Sequence, residues 1–284
     1  MRLDKYICDN TSLTRSLATK AIKSGRIKVN GIKPKSGSLK IIPDTDQVLV
    51  DGHLVEAQPS TRYFMMNKPQ GYVCANSDGE HALVFDLMGD EINVSKLHTV
   101  GRLDKDTTGL MVVAKNLSAH AHIVDQLQTR TMGREYEAII SGVMTGGGTV
   151  NEPIARSSKN RKKMAVSPFG KHAVTHYRVL SRFNANSHIR VKLETGRTHQ
   201  IRVHMAHIKY PLVGDKTYSG RFKLPAGASD FLKESLKSFP RQALHAKKLT
   251  LTHPKTGEEM SWEADLPDDM LALLEALNEP SQSD

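Results

Sequence analysis

GRLDKDTTGL, residues 101–110, is the stretch on which the reading of this chain turns. It sets a single carboxylate, Asp104, between Arg102 and a turn rich in threonine and glycine, an arrangement suited to presenting a side chain for chemistry. By itself it has a plain alternative, in which Asp104 is half of a surface ion pair with Arg102 and Asp106 is a turn residue. Two later stretches change the weight. GREYEAII, residues 133–140, joins basic and aromatic residues, and ETGRTHQIRVHMAH, residues 194–207, places Arg197 and Arg202 around a turn.

The 284 residues suffice for one sizeable core and a small accessory domain, so two domains are expected. Lys and Arg number 40 against 30 Asp and Glu, a net charge of +10 that favours a polyanionic partner. The two cysteines, Cys8 and Cys74, are far apart and lack a CxxC partner, which points away from a disulfide framework or a zinc site and fits a reducing cytosol. MRLDKYICDN lacks the apolar core of a signal peptide, and no apolar run approaches the ~20 residues needed to span a bilayer. A soluble, cytoplasmic protein is the expectation.

Residues 1–56 read as a compact module. Thr11 or Ser12 is expected to cap a helix through Leu13, Leu17, Ala18, Ala21 and Ile22, stopped by Gly25. A hairpin is expected next, its strand at residues 26–29 turned by Asn30-Gly31. The module is crowded with cations, among them Arg15, Lys23 and Arg26, and such a surface suits salt-sensitive phosphate contacts as well as it suits plain solvation. Residues 57–62, AQPSTR, have linker character; YFMMNKPQGYVCA then predicts a strand, a Pro-Gly turn and a second strand. Short strands and interspersed helices near residues 117–128, 197–207 and 228–237 predict an α+β domain over residues 63–277. Gly146-Gly147-Gly148 lacks the context of a dinucleotide site and reads as a turn. A last helix is expected after Pro267 with Asp268 and Asp269 in its first turn, followed by a disordered tail at residues 278–284.

Taken in order, GRLDKDTTGL, GREYEAII and ETGRTHQIRVHMAH resemble the active-site motifs of the RNA pseudouridine synthases. RLDKYI and TRSLATKAIKSGRIKVNG resemble the S4-type RNA-binding module found in ribosomal proteins and RNA-modifying enzymes. The resemblance covers nearly the whole chain and has two parts. Residues 1–103, with MRLDKYI, MMNKPQGYVCA and LHTVGRLD, are similar to the small-subunit branch, pseudouridine synthase A, which acts on 16S rRNA. Residues 104–275, with DKDTTGLMVVAK, REYEAI, LETGRTHQIRVHMAHI, PLVGD and RQALHA, are similar to the large-subunit branch, pseudouridine synthase D, which acts on 23S rRNA. Arg102, Leu103 and Asp104 belong to both patterns. The fold implied is a small S4-type domain followed by a catalytic domain with a mixed, mostly antiparallel sheet.

The activity implied breaks the N1 glycosidic bond of a uridine, turns the base, joins C5 to the sugar carbon and releases the C5 proton. It is redox-neutral and requires no cofactor and no metal. It does require a carboxylate at the anomeric carbon, as nucleophile or base, shielded from bulk water. By resemblance Asp104 is that group, Arg202 the guanidinium that favours its charged form and orients it, and Tyr136 the aromatic ring on which a flipped base stacks. Ile201 matches an apolar pocket position. Arg102, Arg197, Lys68 and the basic run 157–163 are expected substrate contacts, the last two on phosphate. The expected partner is ribosomal RNA or an assembling subunit, met by a monomer.

Other readings stay open at this point. A catalytically silent RNA-binding or ribosome-assembly factor would keep the same motifs. A glycosidase-like hydrolase would need a second positioned carboxylate, for which Asp106 is close in sequence. His199, His204 and His207 lack the i, i+4 spacing of a helical zinc site and suit helix packing or RNA contact better, and Cys74 has no evident base beside it.

Overall fold

The structure is a computed structural model that describes residues 1–11, 13–43, 45–55, 63–75, 79–88, 97–220, 224–225, 227–254 and 256–279. Residues 57–62, expected to be a linker, and 280–284 of the tail expected at 278–284 lie outside the described residues, whereas Asn278 is the last residue of a helix and not part of a disordered tail. The described chain divides into two compact units, one ending at Val55 and one beginning at Tyr63.

The first unit holds helices α1 (Leu3–Asn10) and α2 (Arg15–Lys23) and strands β1 (Ile27–Val29), β2 (Val48–Val50) and β3 (His53–Leu54). Leu3, Tyr6 and Ile7, spaced i, i+3, i+4, give α1 an apolar face, which packs with Ala18, Ala21, Ile22, Ile27 and Val48. The expected cap is corrected. Thr14 caps α2, its hydroxyl accepting from Leu17 N, while Thr11 closes α1 by donating to the Ile7 carbonyl at 2.7 Å. A threonine one turn after an apolar helix serves the helix behind it, and α1 carries no side-chain cap that would have announced its start. The hairpin is corrected too. Asn30 (φ 51°) and Gly31 (φ 81°) do turn the chain, yet beyond the Val29–Ile32 bridge the partner of β1 is β2, in the register Ile27–Val50 and Val29–Val48. The Asn30 side chain secures that choice by donating to Asp46 and accepting from Gln47 N, each at 2.8 Å.

The second unit is built on one mixed sheet, in the spatial order β4 (Tyr63–Lys68), β6 (Thr108–Ala114), β13 (Leu244–Thr252), β7 (Gly133–Ser141), β12 (Asn186–Leu193), β11 (Val174–Arg182), β8 (Gly148–Asn151). β5 (His98–Val100) pairs with β6, and β14 (Glu259–Glu263) pairs with β13. Among these pairs only β6 with β13 is parallel, so the α+β, mostly antiparallel expectation holds. A small hairpin of β9 (Ile154–Arg156) and β10 (Met164–Val166) stands apart from the sheet. The strand expected after Pro69-Gln70-Gly71 is instead a loop, because Val73 exchanges its backbone bonds with Ala82 and Val84 across a single parallel bridge to Leu83.

Helix α3 (Leu117–Gln128) lays Ala119 and Ile123 on Leu110, Val112, Leu249 and Leu251 of the sheet. α5 (Asp230–Ser238) and α6 (Asp268–Asn278) cover Ile139 and Val213 with Leu232, Leu236, Met270 and Leu273. α4 (Gln200–His207) begins at the turn that follows β12. No helix among the described residues is long and apolar enough to cross a membrane.

Candidate active site

Asp104 stands on the turn between β5 and β6, closed by a bond from Thr107 N to the Asp104 carbonyl at 3.0 Å. Successive positions of that turn are held from outside. The Lys105 carbonyl accepts from Lys68 Nζ at 2.7 Å and from Gly71 N at 3.0 Å. Thr107 Oγ1 accepts from Gln242 Nε2 at 3.0 Å, and Thr108 Oγ1 lies 2.9 Å from His245 Nδ1. Burial pushes His245 down to about 4, helped by the nearby Arg241 charge, so it meets Thr108 as a neutral ring. Gly109 (φ 109°) lets β6 run parallel beside β13; a Cβ there would collide with the backbone of Ala246. The DTTG pattern is thus a rigid mount for one carboxylate.

The partner of Asp104 is Arg202, not Arg102. Arg202 Nη1 donates to Asp104 Oδ2 at 2.9 Å from the first turn of α4. Asp215, whose side chain is fully buried, takes the other edge of the guanidinium, accepting from Nε at 2.7 Å and Nη2 at 2.9 Å. Asp215 also accepts from Thr217 N and Tyr218 N, and the guanidinium lies over the Tyr218 ring at 5.0 Å. Burial opposes the charge of Arg202, but Asp215 and Asp104 outweigh it and hold the group above its ordinary value. A fork with every edge assigned leaves Arg202 little freedom and leaves Asp104 Oδ1 unclaimed by it.

The turn that delivers α4 is locked by a chain of polar bonds. Gln200 Nε2 donates to the Val174 carbonyl and to Thr175 Oγ1, while Gln200 Oε1 accepts from Thr195 Oγ1 and Arg197 N. Thr175 Oγ1 lies 2.8 Å from His204 Nδ1, and His204 Nε2 lies 2.9 Å from the Glu152 carbonyl. The carbonyl can only accept, so the proton of His204 sits on Nε2 and Nδ1 receives the Thr175 hydroxyl. Burial lowers the pKa of His204, consistent with this neutral form. Both its nitrogens serve packing.

These elements border a cleft of about 930 Å³ lined by Arg102, Asp104, Tyr136, Arg197, Ile201 and Arg202, among others. Tyr136 is 8% exposed, and burial raises its hydroxyl pKa. Ile201 is buried beside Arg202, whereas Arg102 and Arg197 are exposed on the rim; Arg197 Nε donates to the His172 carbonyl at 2.9 Å. Lys68 is a correction. It is fully buried, and its ammonium donates to the carbonyls of Pro69 and Lys105, so it anchors the Asp104 turn and does not reach phosphate. Burial lowers its pKa to about 8, with Cys74, Asp106 and Asp104 opposing. In the 157–163 run, Lys159, Arg161 and Lys162 are exposed, while Lys163 Nζ is bound to the Thr217 carbonyl at 2.6 Å.

In the first unit Arg15 and Lys23 are exposed, Arg15 lying 3.8 Å from Asp4. Arg26 is already engaged by both carboxylate oxygens of Asp51. Sequence reasoning missed Asp215, Tyr218 and the clamp made by Gln200. The signal for Asp215 was its place in PLVGD, part of the resembling pattern, directly after Gly214, which in the structure adopts φ 74° where a Cβ would strike the Arg241 carbonyl. Nothing local marked Tyr218.

The model of the RNA pseudouridylate synthase family matches residues 62–207, and that of the S4 domain matches residues 1–41. Ribosomal large subunit pseudouridine synthase D of Pseudomonas aeruginosa is 47% identical over 287 residues, spanning 95% of this chain and 89% of that protein. The protein of the same name from Vibrio cholerae is 43% identical over 300 residues, spanning 99% of this chain and 92% of that protein. The second of these alignments, at 99% of this chain, includes the stretch in which the small-subunit motifs occur. Among solved structures, human RNA Pseudouridylate Synthase Domain Containing 4 superposes with a TM-score of 0.62 at 28% identity, over 78% of this chain and 91% of that one. Human RNA Pseudouridylate Synthase Domain Containing 1, at 22% identity and a TM-score of 0.56 over 80% of this chain and 95% of that one, shares the fold.

Proposed function

From the premise that this chain belongs to the RNA pseudouridine synthase family, we propose that it isomerises uridines of ribosomal RNA, 23S first and 16S next, with Asp104 acting at the anomeric carbon. The carrying observation is the Asp104–Arg202–Asp215 chain: a carboxylate oriented by a buried guanidinium that is itself fixed from behind. The large-subunit name borne by the relatives supports the order of the two substrates.

In this reading Asp104 presents Oδ1 to the ribose, as nucleophile or base, while Arg202 holds Oδ2. Cleavage of N1–C1′ frees the base, which turns and is rejoined through C5, and the C5 proton leaves. Tyr136 receives the flipped base; stacking of ~1–3 kcal/mol offsets part of the cost of leaving the helix. Ile201 keeps that pocket apolar, and Arg102 and Arg197 bind RNA at the rim. Residues 1–56 are the RNA-binding module, with Arg15, Lys23 and, once released from Asp51, Arg26 on phosphate; residues 63–277 are the catalytic domain. The protein acts in the cytoplasm, as a monomer, on free rRNA or an assembling subunit.

The test is tritium release from 16S and 23S transcripts labelled at uridine C5, for the intact protein and for Asp104→Asn. Release from the 23S transcript that vanishes in the variant is the expected result. RNA binding without release from either transcript would make the chain a silent binding factor.

A further inference from the structure

His199 introduces α4 in a left-handed conformation (φ 57°), a strained state for a residue with a Cβ. Its ring is wedged between two groups of the cleft. Nδ1 lies 2.7 Å from the Tyr218 hydroxyl, and Nε2 lies 4.0 Å from Asp104 Oδ1, the oxygen that Arg202 leaves unclaimed. Tyr218 is itself fixed. Its hydroxyl accepts from Met164 N at 3.0 Å, its backbone N donates to Asp215, and its ring meets that of His199 edge-on with centroids 5.6 Å apart.

One tautomer of His199 gives the Tyr218 hydroxyl proton an acceptor. The Tyr218 hydroxyl, having accepted from Met164, retains a proton to give, and His199 Nδ1 is the acceptor within reach. The neutral imidazole then carries its own proton on Nε2, facing Asp104. At 4.0 Å the two do not form a hydrogen bond, so the N–H is left for a polar atom arriving beside the carboxylate.

We propose that the His199–Tyr218 pair is a further part of the uridine site: Tyr218 orients the imidazole so that its Nε2–H binds a ribose oxygen of the substrate beside Asp104. In acid the imidazolium pairs with Asp104 Oδ1 instead and withdraws it from the sugar. The inference rests on the reading of Asp104 given above. The charged and titratable groups facing the ring are Asp104 on its turn, Arg202 on α4, Asp215 and Tyr218 on the loop that follows α4, and, from the β10 side, Lys163, bound to the neighbouring Thr217 carbonyl. Burial lowers the pKa of His199 against the opposing pull of Asp104, which keeps the binding-competent neutral form dominant at neutral pH.

The experiment is single-turnover tritium release from the 23S transcript across mildly acid to mildly alkaline pH, for the intact protein, His199→Ala, His199→Gln, Tyr218→Phe and Asp104→Asn, with RNA affinity measured in parallel. His199→Ala is expected to lose roughly 10–100-fold in rate at alkaline pH at unchanged RNA affinity, the scale of one missing substrate hydrogen bond. His199→Gln, whose amide restores an N–H, recovers about tenfold of that loss and no longer shows the acid-side fall set by the imidazole. Tyr218→Phe lies between the two. An undiminished rate in His199→Ala, or an unchanged acid limb in His199→Gln, overturns the proposal. Full release by Asp104→Asn would instead overturn the reading of Asp104, an outcome distinct from either.

Discussion

Asp215 holds Arg202 by two hydrogen bonds, 2.7 Å from Nε and 2.9 Å from Nη2, and so decides where the remaining nitrogen points. That nitrogen reaches Asp104. Removing Asp215 strands a buried cation and frees it to rotate. Asp215→Ala is expected to lower the melting temperature, at a cost of roughly 3–5 kcal/mol, and to abolish tritium release even at temperatures where it remains folded. Asp215→Asn retains an acceptor and is expected to keep the fold while losing about 100-fold in rate. Calorimetry beside the release assay separates the two effects; a fully active Asp215→Asn would show that Arg202 needs no second carboxylate.

Lys68 separates two roles that a lysine can play near RNA. As an anchor for the carbonyls of Pro69 and Lys105, its replacement by Met is expected to cost roughly 1–3 kcal/mol of stability and most of the turnover, with the salt dependence of RNA binding unchanged. Replacing Lys159 or Lys162, exposed on the 157–163 run, is expected to do the opposite: normal stability and a salt slope that falls by about 0.7 for each phosphate of single-stranded RNA no longer neutralised. Binding isotherms at several salt concentrations give the slopes. A smaller slope in Lys68→Met would return that residue to phosphate.

Glu137 predicts an acid limit of stability. Burial alone would raise its pKa, but the Arg190 guanidinium, which donates to Oε1 at 2.8 Å, and the His188 imidazole, whose Nε2 lies 2.9 Å from Oε2, outweigh burial and bring it to about 2, against an ordinary 4.5. The unfolded chain therefore binds this proton first. Stability from Glu137 is complete above pH ~4.5 and is lost as pH falls toward ~2, a contribution on the order of 3 kcal/mol. Glu137→Gln is expected to be less stable at pH 7 and to show a flatter decline between pH 4.5 and 2. Parallel curves for the two proteins in urea titrations over that range would remove Glu137 from the account.

Tyr136 offers its ring to the cleft from β7 with little exposure. Tyr136→Leu keeps the volume apolar but removes the stacking face, so a loss of roughly 10–100-fold in kcat/KM is expected with the melting temperature shifted by only a few degrees. Fluorescence of a 2-aminopurine placed beside the target uridine reports whether the base still leaves the stack. Normal base flipping and turnover in Tyr136→Leu would make Tyr136 a core residue only.

Much of this was legible in the chain itself. The α6 start at Asp268-Asp269, α3 and the α+β layout follow from short-range rules of turns, caps and periodicity, which act within a few residues, while Asp104, Tyr136 and Arg202 were singled out by the resemblance of their three motifs to a known family. The failures came where two local signals competed. Thr11 reads as a cap for the helix ahead but closes the one behind, and Asn30-Gly31 turns the chain without choosing the strand that β1 will meet.

What the tertiary structure alone decided is which distant groups converge. Gln242 and His245 lie 135 and 137 residues beyond Thr107 and Thr108 and meet them only because β13 docks parallel to β6, an approach that Gly109 permits. Asp215 became the keeper of Arg202, and Lys68 an internal anchor in place of a surface cation, through the same kind of encounter. A charged side chain has no fixed role in sequence. Its burial removes water, and its role then passes to whichever carbonyl or carboxylate the fold has placed within about 3 Å.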